Sequence, residues 1–226
     1  MVKVKICGIT RQVDADAAVE AGADALGFVF VRSSARYVKT RTAYAIVRSL
    51  PPFVRAVGVF VNAGRPEIGE VIAATGIGAI QLHGDESPAD LEGYPVPAYK
   101  AFRVGTGFDP SVLSRYRSTV HLLDTFSRNA FGGTGSTFDW DVAVEAKKYG
   151  RIVLSGGLNP DNVGDAVRTV MPYAIDVSSG VEISPGVKDK SRIQQLFSSL
   201  RKTELTQRIH CNAGQRVQVA LAFGIQ

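Results

Sequence analysis

Eight short apolar runs recur along the chain, and this repetition limits the possible folds more than any other feature of the sequence. Most of the runs are rich in β-branched or aromatic residues and are too short for helices, so they predict buried strands. A strand that is apolar along its whole length is typical of a parallel sheet covered on both faces. The runs lie at 2–6, 25–30, 54–60, 78–82, 96–102, 119–124, 151–155 and 174–178.

Segments with helical spacing lie between the runs. The first, residues 11–21, has Val13, Ala17 and Ala21 on one face, and Thr10 precedes it as the predicted N-cap. Asp139 and Asn159 are further helix-start residues. Similar helical segments are predicted at 40–49, 66–74, 87–92, 109–116, 139–148, 160–170 and 189–201.

Eight strand-then-helix units with short links predict an α/β protein that is a single (β/α)₈ TIM barrel. An open doubly wound sheet, which needs fewer strands for this length, is the alternative. We assign residues 1–202 to the barrel and residues 203–226 to a C-terminal extension of unknown structure. An irregular extension is favoured there over an additional edge strand.

Composition and charge exclude several classes of protein. The chain has only two cysteines, Cys7 and Cys211, and no signal-peptide pattern or long apolar span, which predicts a cytoplasmic protein with reduced thiols and no membrane contact. The formal net charge of +5 is modest and forms no basic stripe with interleaved aromatics, so no nucleic-acid partner is predicted. A mildly basic surface is either simply solvated or attracts small anions.

Polar residues collect where the predicted strands end, which is where barrels carry their chemistry. These positions include Cys7, Arg36, His83 and Asp124. Burying a carboxylate at the end of a strand costs free energy unless the group has a partner or a function, so Asp124 is a strong candidate for a catalytic group. Three interpretations of Cys7 remain open at this point: a buried small hydrophobe, an acid–base partner of Asp124, or a nucleophile paired with His83.

Three glycine-containing turns follow the sixth, seventh and eighth strands, at 131–140, 154–162 and 176–182. Backbone N–H groups in such loops can surround a phosphate, and glycine allows the anion to come close. Nucleotide-binding glycine motifs are absent from the sequence, and its histidines and cysteines lack metal-ligand spacing. We therefore predict a phosphorylated small molecule as ligand, with no cofactor and no metal.

Seven segments in order resemble the phosphoribosylanthranilate isomerase family of tryptophan biosynthesis, whose members are single (β/α)₈ barrels. The resemblance runs from about residue 2 to residue 201. The segments are KICGIT (5–10), ARY (35–37), QLHGDE (81–86), LLD (122–124), GGTGSTFDW (132–140), LSGGLNPDNV (154–163) and DVSSGVEISPGVKD (176–189).

The resemblance implies a cofactor-free Amadori rearrangement of N-(5-phosphoribosyl)anthranilate to 1-(2-carboxyphenylamino)-1-deoxyribulose 5-phosphate. It implies that Asp124 is the general acid, that Cys7 is the general base, and that Arg36 binds the anthranilate carboxylate. The remaining substrate-binding residues, chiefly for the phosphate, would be His83, Gly133, Gly135, Gly156, Gly157, Ser179 and Gly180. The protein would act on this small molecule as a monomer or a homodimer.

Two features depart from the family pattern. Ala35 stands where the family usually has proline before Arg-Tyr, so we expect the loop of Arg36 to be looser. Residues 203–226 have no counterpart in the family, and Cys211 within them is given no catalytic role. The alternatives are the histidine-pathway isomerase, which carries aspartate where this chain has Cys7, and a non-catalytic phosphate sensor, which would lack a paired acid and base.

Overall fold

Eight parallel strands close into a barrel in the computed structural model, which describes residues 2–125 and 139–223, with side chains as far as Thr206. The strands pair in chain order, and β8 pairs back onto β1 with Val4 beside Ile175. This closure confirms the (β/α)₈ barrel and excludes the open sheet. The strands are β1 (Lys3–Cys7), β2 (Ala25–Val29), β3 (Arg55–Phe60), β4 (Ala79–Leu82), β5 (Ala98–Val104), β6 (Val120–Thr125), β7 (Arg151–Leu154) and β8 (Ala174–Val177).

Helices cover the outside of the barrel. They are α1 (Gln12–Ala21), α2 (Thr40–Ser49), α3 (Arg65–Thr75), α4 (Trp140–Ala146), α5 (Val163–Val170) and α6 (Lys190–Phe223). The helices predicted at 87–92 and 109–116 are 3₁₀ segments, Pro88–Leu91 and Pro110–Arg115, because pieces this short gain too few α-helical hydrogen bonds. Further 3₁₀ turns span Lys147–Tyr149 and Ser179–Val181, and a small hairpin, β9 (Glu182–Ser184) with β10 (Val187–Lys188), follows β8.

The start and the buried face of α1 differ from the prediction. The N-cap position is Arg11, while the Thr10 hydroxyl donates to the Gly186 carbonyl oxygen, 2.5 Å away. Val13 is 63% exposed, and Asp14 is buried in its place. Asp14 tolerates burial because Arg11 pairs with it and the Lys188 backbone N–H donates to it.

Two other helix starts can be compared with their predicted caps. Asp139 accepts a hydrogen bond from the Asp141 backbone N–H and caps α4, as predicted. Asn159 instead organises the turn before α5, where its Oδ1 accepts from the backbone N–H groups of Asp161 and Asn162. The helix itself begins at Val163.

The last helix continues past the predicted barrel boundary. Residues 203–223 are helical rather than irregular, because α6 runs without interruption from Lys190 to Phe223. Thr203 is buried, and Glu204 Oε1 accepts a 2.8 Å hydrogen bond from the Val2 backbone N–H. The domain boundary after residue 202 therefore stays a prediction. Within the described part of the chain, no helix is long and apolar enough to cross a membrane.

Strand alternation divides the apolar residues into two sets. The larger set packs between the strands and the surrounding helices and includes Ile6, Phe28 and Leu123. The alternate residues point into the barrel, where two small clusters form: Ala101, Leu122, Val153 and Ala174 in one, and Cys7, Val29 and Val59 in the other. The thiol of Cys7 therefore faces the barrel interior near its mouth.

Candidate active site

The carboxyl ends of the strands bring four predicted site residues to one mouth of the barrel. Cys7 ends β1, and Asp124 lies one residue before the end of β6. His83 follows β4 directly, and Ser179 lies just beyond β8. The predicted phosphate-binding residues Gly133 and Gly135 lie outside the described residues.

Cys7 carries a free thiol that is 9% exposed and packs against Val29 and Val59. Burial raises the pKa of this thiol and Asp176 raises it further, while Lys5 and Lys188 lower it; the net direction is upward. Burial and Asp176 together outweigh the two lysines, so the resting thiol is more fully protonated than a solvated cysteine.

A layer of buried polar groups lies one step deeper in the barrel than Cys7. Lys5 Nζ is 2.8 Å from Asp176 Oδ2 and 2.9 Å from Gln81 Oε1, and Tyr99 donates to the same Gln81 oxygen at 3.0 Å. Burial lowers the pKa of Lys5, but attraction to Asp176, Cys7 and Tyr99 raises it by more, so Lys5 stays charged. A full positive charge is thus held two residues before Cys7, on the same face of β1.

The Gln81 side chain fixes the tautomer of His83. Because Gln81 Oε1 accepts from Lys5 and Tyr99, its amide Nε2 is the donor toward His83 Nδ1, 2.8 Å away. The other ring nitrogen, Nε2, therefore carries the proton, and it lies 3.2 Å from Asp124 Oδ2. Since both ring nitrogens face other residues, the pairing of His83 with Cys7 as a nucleophilic dyad is not supported.

Asp124 is a buried carboxyl group of this mouth, 3% exposed. Its Oδ1 accepts a 2.9 Å hydrogen bond from the Thr125 backbone N–H, while Oδ2 faces His83. The Thr125 N–H satisfies Oδ1, while Oδ2 lies beside His83 Nε2 without a hydrogen bond to it.

Arg36 forms an ion pair with a carboxylate of the protein itself. Its guanidinium pairs with Glu182 of the β9 hairpin, with Nη2 2.7 Å from Oε2 and Nε 3.0 Å from Oε1. Ala35 occupies the second position of a turn closed by the Tyr37 backbone N–H on the Ser34 carbonyl at 3.0 Å. The expected loosening of this loop stays a prediction, and Glu182 is a restraint on Arg36 that acts independently of residue 35.

Glycines at the ends of β7 and β8 make a close backbone junction. Gly156 and Gly157 have positive φ values of 89° and 64°, which side-chain-bearing residues rarely adopt. A Cβ at Gly180 would overlap the Leu158 carbonyl oxygen and come within 2.9 Å of the Asn159 Cα. Glycine at these positions therefore allows the two loops to pack closely against neighbouring backbone.

Sequence reasoning missed five charged or polar residues of this site: Lys5, Gln81, Asp176, Glu182 and Lys188. Three of them stood inside runs predicted to be buried strands, and a polar residue in such a run is itself an indication of an interior network. Their pairing could not be read from the sequence, because Lys5 meets partners 76 and 171 residues away. Over the described residues, no group of His, Cys, Asp or Glu side chains is arranged to hold a metal ion.

Comparison with known proteins gives a consistent result. The family model described as N-(5'phosphoribosyl)anthranilate (PRA) isomerase matches residues 4–199. An N-(5'-phosphoribosyl)anthranilate isomerase of Citrifermentans bemidjiense is 52% identical over 205 residues, which are 91% of this chain and 100% of that protein.

Solved structures agree with the sequence matches. The phosphoribosyl anthranilate isomerase of Thermus thermophilus superposes with a TM-score of 0.83 at 36% identity, covering 89% of this chain and 99% of its own. A phosphoribosyl anthranilate isomerase in complex with reduced 1-(o-carboxyphenylamino)-1-deoxyribulose 5-phosphate superposes with a TM-score of 0.79 at 41% identity, covering 89% of this chain and all of its own. The similarity therefore extends over the whole barrel.

Proposed function

The chain belongs to the N-(5'-phosphoribosyl)anthranilate isomerase family and is an isomerase of tryptophan biosynthesis, and from this premise we propose how its own residues carry out the reaction. The proposed reaction is the cofactor-free Amadori rearrangement of N-(5-phosphoribosyl)anthranilate to 1-(2-carboxyphenylamino)-1-deoxyribulose 5-phosphate. The observation that carries the proposal is a buried thiol, Cys7, and a buried carboxyl group, Asp124, at the same mouth of the barrel.

Asp124 is the proposed general acid. Its carboxyl group protonates the furanose ring oxygen, the C1′–O bond breaks, and the anilino nitrogen lone pair forms the C1′=N iminium. The position of Asp124 supports this role, because the Thr125 backbone N–H orients the carboxyl group at Oδ1 and leaves Oδ2 without a hydrogen bond to His83. In its neutral Nε2–H form, His83 also has a proton with which to contact substrate oxygens near Asp124.

Cys7 is the proposed general base. Its thiolate removes the C2′ proton, the C–H electrons form the C1′=C2′ double bond, and the iminium electrons return to nitrogen. The resulting enolamine loses the proton of its 2′ hydroxyl group and gains one at C1′, which gives the ketone. The iminium acidifies the C2′ proton, so a single thiolate suffices, and Lys5 and Lys188 supply positive charge that favours the thiolate before the transfer.

The two ends of the substrate need separate binding groups. Arg36 is the proposed partner of the anthranilate carboxylate, since a guanidinium binds a carboxylate through two parallel hydrogen bonds. Gly156, Gly157 and Gly180, with Ser179, are the described part of the proposed phosphate site. We also retain the proposals that Gly133 and Gly135 complete this site and that the protein acts in the cytoplasm as a monomer or a homodimer.

Turnover measured by the fluorescence of the anthranilate group tests the proposal. We expect the purified protein to be active, and Cys7→Ala and Asp124→Asn each to lose about 10²–10⁴-fold in kcat, as expected on removal of a general acid or base. Cys211→Ala is the matched control, because it removes the other cysteine of the chain and should keep full activity. Full turnover by Cys7→Ala or by Asp124→Asn would remove that residue from the mechanism.

A further inference from the structure

Arg36 lies across the end of β1, in contact with the backbone that carries Cys7. A Cβ added to Gly8 would come within 2.7 Å of Arg36 Cδ and 3.2 Å of Ser178 Oγ. Gly8 also has a φ of +82°, so glycine at this position both makes the turn and leaves room for the arginine stem. The arginine stem thereby passes over Gly8 at the carboxyl end of β1.

Glu182 uses one edge of that guanidinium. Its carboxylate accepts from Nε at 3.0 Å and from Nη2 at 2.7 Å, so it occupies the edge formed by these two nitrogens. A guanidinium has a second edge suited to a carboxylate, formed by Nη1 and Nη2. Occupation of the first edge fixes the plane and rotation of the group and leaves the second edge for another carboxylate.

Lys188 holds Glu182 in turn. Its Nζ is 2.8 Å from Glu182 Oε1, and it also donates to the backbone carbonyl oxygens of Cys7 at 2.5 Å and Ser178 at 3.2 Å. The Gly186 backbone N–H donates to the same Glu182 oxygen at 3.2 Å. The Lys188 side chain is fully buried, so three acceptors satisfy a cation that has no access to water.

The charges of this cluster do not cancel. With Lys188 protonated, Arg36 and Lys188 contribute two positive charges and Glu182 one negative charge, which leaves one positive charge. Burial lowers the pKa of Lys188 and Glu182 raises it, with a net direction downward, while the nearby Asp14 is balanced by Arg11. With Glu182 alone, the arginine would form a neutral pair and attract an anion only weakly. Burial by itself would raise the pKa of Glu182, but its contacts with Arg36 and Lys188 bring it below the ordinary value, so the carboxylate stays ionised.

We propose that Glu182 and Lys188 are positioning residues for the substrate carboxylate. Glu182 holds the Nε–Nη2 edge of Arg36 so that the Nη1–Nη2 edge faces the anthranilate group, and Lys188 keeps the cluster positive. The bond from Lys188 to the Cys7 carbonyl oxygen ties the same cluster to the strand end that carries the base. This inference rests on the proposed role of Arg36 and goes beyond it by assigning how the arginine is oriented and charged.

Two ligands that differ only in the carboxylate test the proposal. The first is reduced 1-(o-carboxyphenylamino)-1-deoxyribulose 5-phosphate, and the second is the matching phenylamino compound without the carboxylate. We expect Glu182→Gln and Lys188→Met each to weaken binding of the first ligand by at least about 30-fold in calorimetric titrations, the lower end of the loss expected when a buried charge pair loses one member. Binding of the second ligand should change less than about threefold, within the context dependence of a single contact. Lys190→Met is the matched control, because its exposed ion pair with Glu20 lies just beyond the hairpin.

Activity measurements give a second readout that a merely structural role would not move. Glu182→Asp keeps the charge but shortens the side chain, and it should raise KM more than it lowers kcat. The double variant Glu182→Gln/Arg36→Met should bind the carboxylated ligand no more weakly than Arg36→Met alone does, because Glu182 acts through that arginine.

The outcomes separate this inference from the proposal on which it rests. Equal losses for both ligands, or additive losses in the double variant, would overturn the positioning role while leaving Arg36 as the clamp. If Arg36→Met itself binds both ligands as tightly as the wild type does, the clamp assignment fails, and the positioning role fails with it.

Discussion

Replacement of Lys5 by methionine should destabilise the barrel more than any exposed charge change. Lys5 and Asp176 are paired at 2.8 Å with side chains only 6% and 5% exposed, and Asp176 Oδ1 has no hydrogen-bond partner among the described residues. Methionine fills most of the lysine volume but leaves the Asp176 carboxylate buried and uncompensated. Breaking such a pair on one side costs about 3–5 kcal/mol, so we expect the free energy of unfolding to fall by that amount.

Urea unfolding followed by circular dichroism measures this loss, and the same strand provides the control. Lys3 is 2.6 Å from Asp24, but the two side chains are 56% and 33% exposed, so Lys3→Met should cost only about 0.2–1 kcal/mol. The double variant Lys5→Met/Asp176→Leu removes both charges and should recover most of the loss. A Lys5→Met variant as stable as Lys3→Met would refute the argument that the Asp176 carboxylate is buried and depends on Lys5 for its compensating charge.

Three further predictions concern the mouth of the barrel. The pKa of Cys7 is raised above its ordinary value near 9, and the proposed base acts as a thiolate, so kcat/KM should still be rising with pH at that value. A plateau of kcat/KM well below that pH would contradict the burial argument. Ala35→Pro should stabilise the protein by about 0.4–1 kcal/mol in urea unfolding, because proline suits the second position of the Ser34–Tyr37 turn; destabilisation would mean that the turn geometry rejects it. Gly180→Ala should lower the free energy of unfolding by about 1–3 kcal/mol and weaken inhibition by inorganic phosphate, because the new Cβ meets the Leu158 carbonyl. The control, Gly69→Ala in α3, has open space around it and should be neutral or stabilising.

The barrel could be predicted from the sequence because its determinants are local. Each strand is a short β-branched or aromatic run, and each keeps its place in the chain order β1 to β8. The positions of Cys7 and Asp124 followed from the same reasoning, since a residue at the end of a parallel strand has only one mouth to face. Local pattern and global fold agree at these positions, which is expected of a naturally evolved sequence.

The sequence predictions failed where a side chain or backbone group forms a hydrogen bond with a residue far away in the chain. Val13 lies on the predicted apolar face of α1, yet it is exposed. Asp14 is buried instead, because it pairs with Arg11 and accepts a hydrogen bond from the Lys188 backbone N–H. Thr10 has the chemistry of an N-cap, yet its hydroxyl bonds the Gly186 carbonyl across the chain. In both cases a tertiary hydrogen bond outweighs a local preference that amounts to about 1 kcal/mol or less.

Two separate charge networks meet at Cys7, and together they account for its environment. The Lys5–Asp176 pair lies beneath the thiol inside the barrel, and Lys188 approaches its carbonyl oxygen from the β9–β10 hairpin. Burial lowers the fraction of thiolate, but a thiolate with a raised pKa is the stronger base once it forms, and the two lysines limit the loss. Lys5 both attracts the thiolate and hydrogen-bonds to the sulfur, and Lys188 attracts the thiolate as well, so the two lysines offset part of the effect of burial on the Cys7 pKa without reversing it.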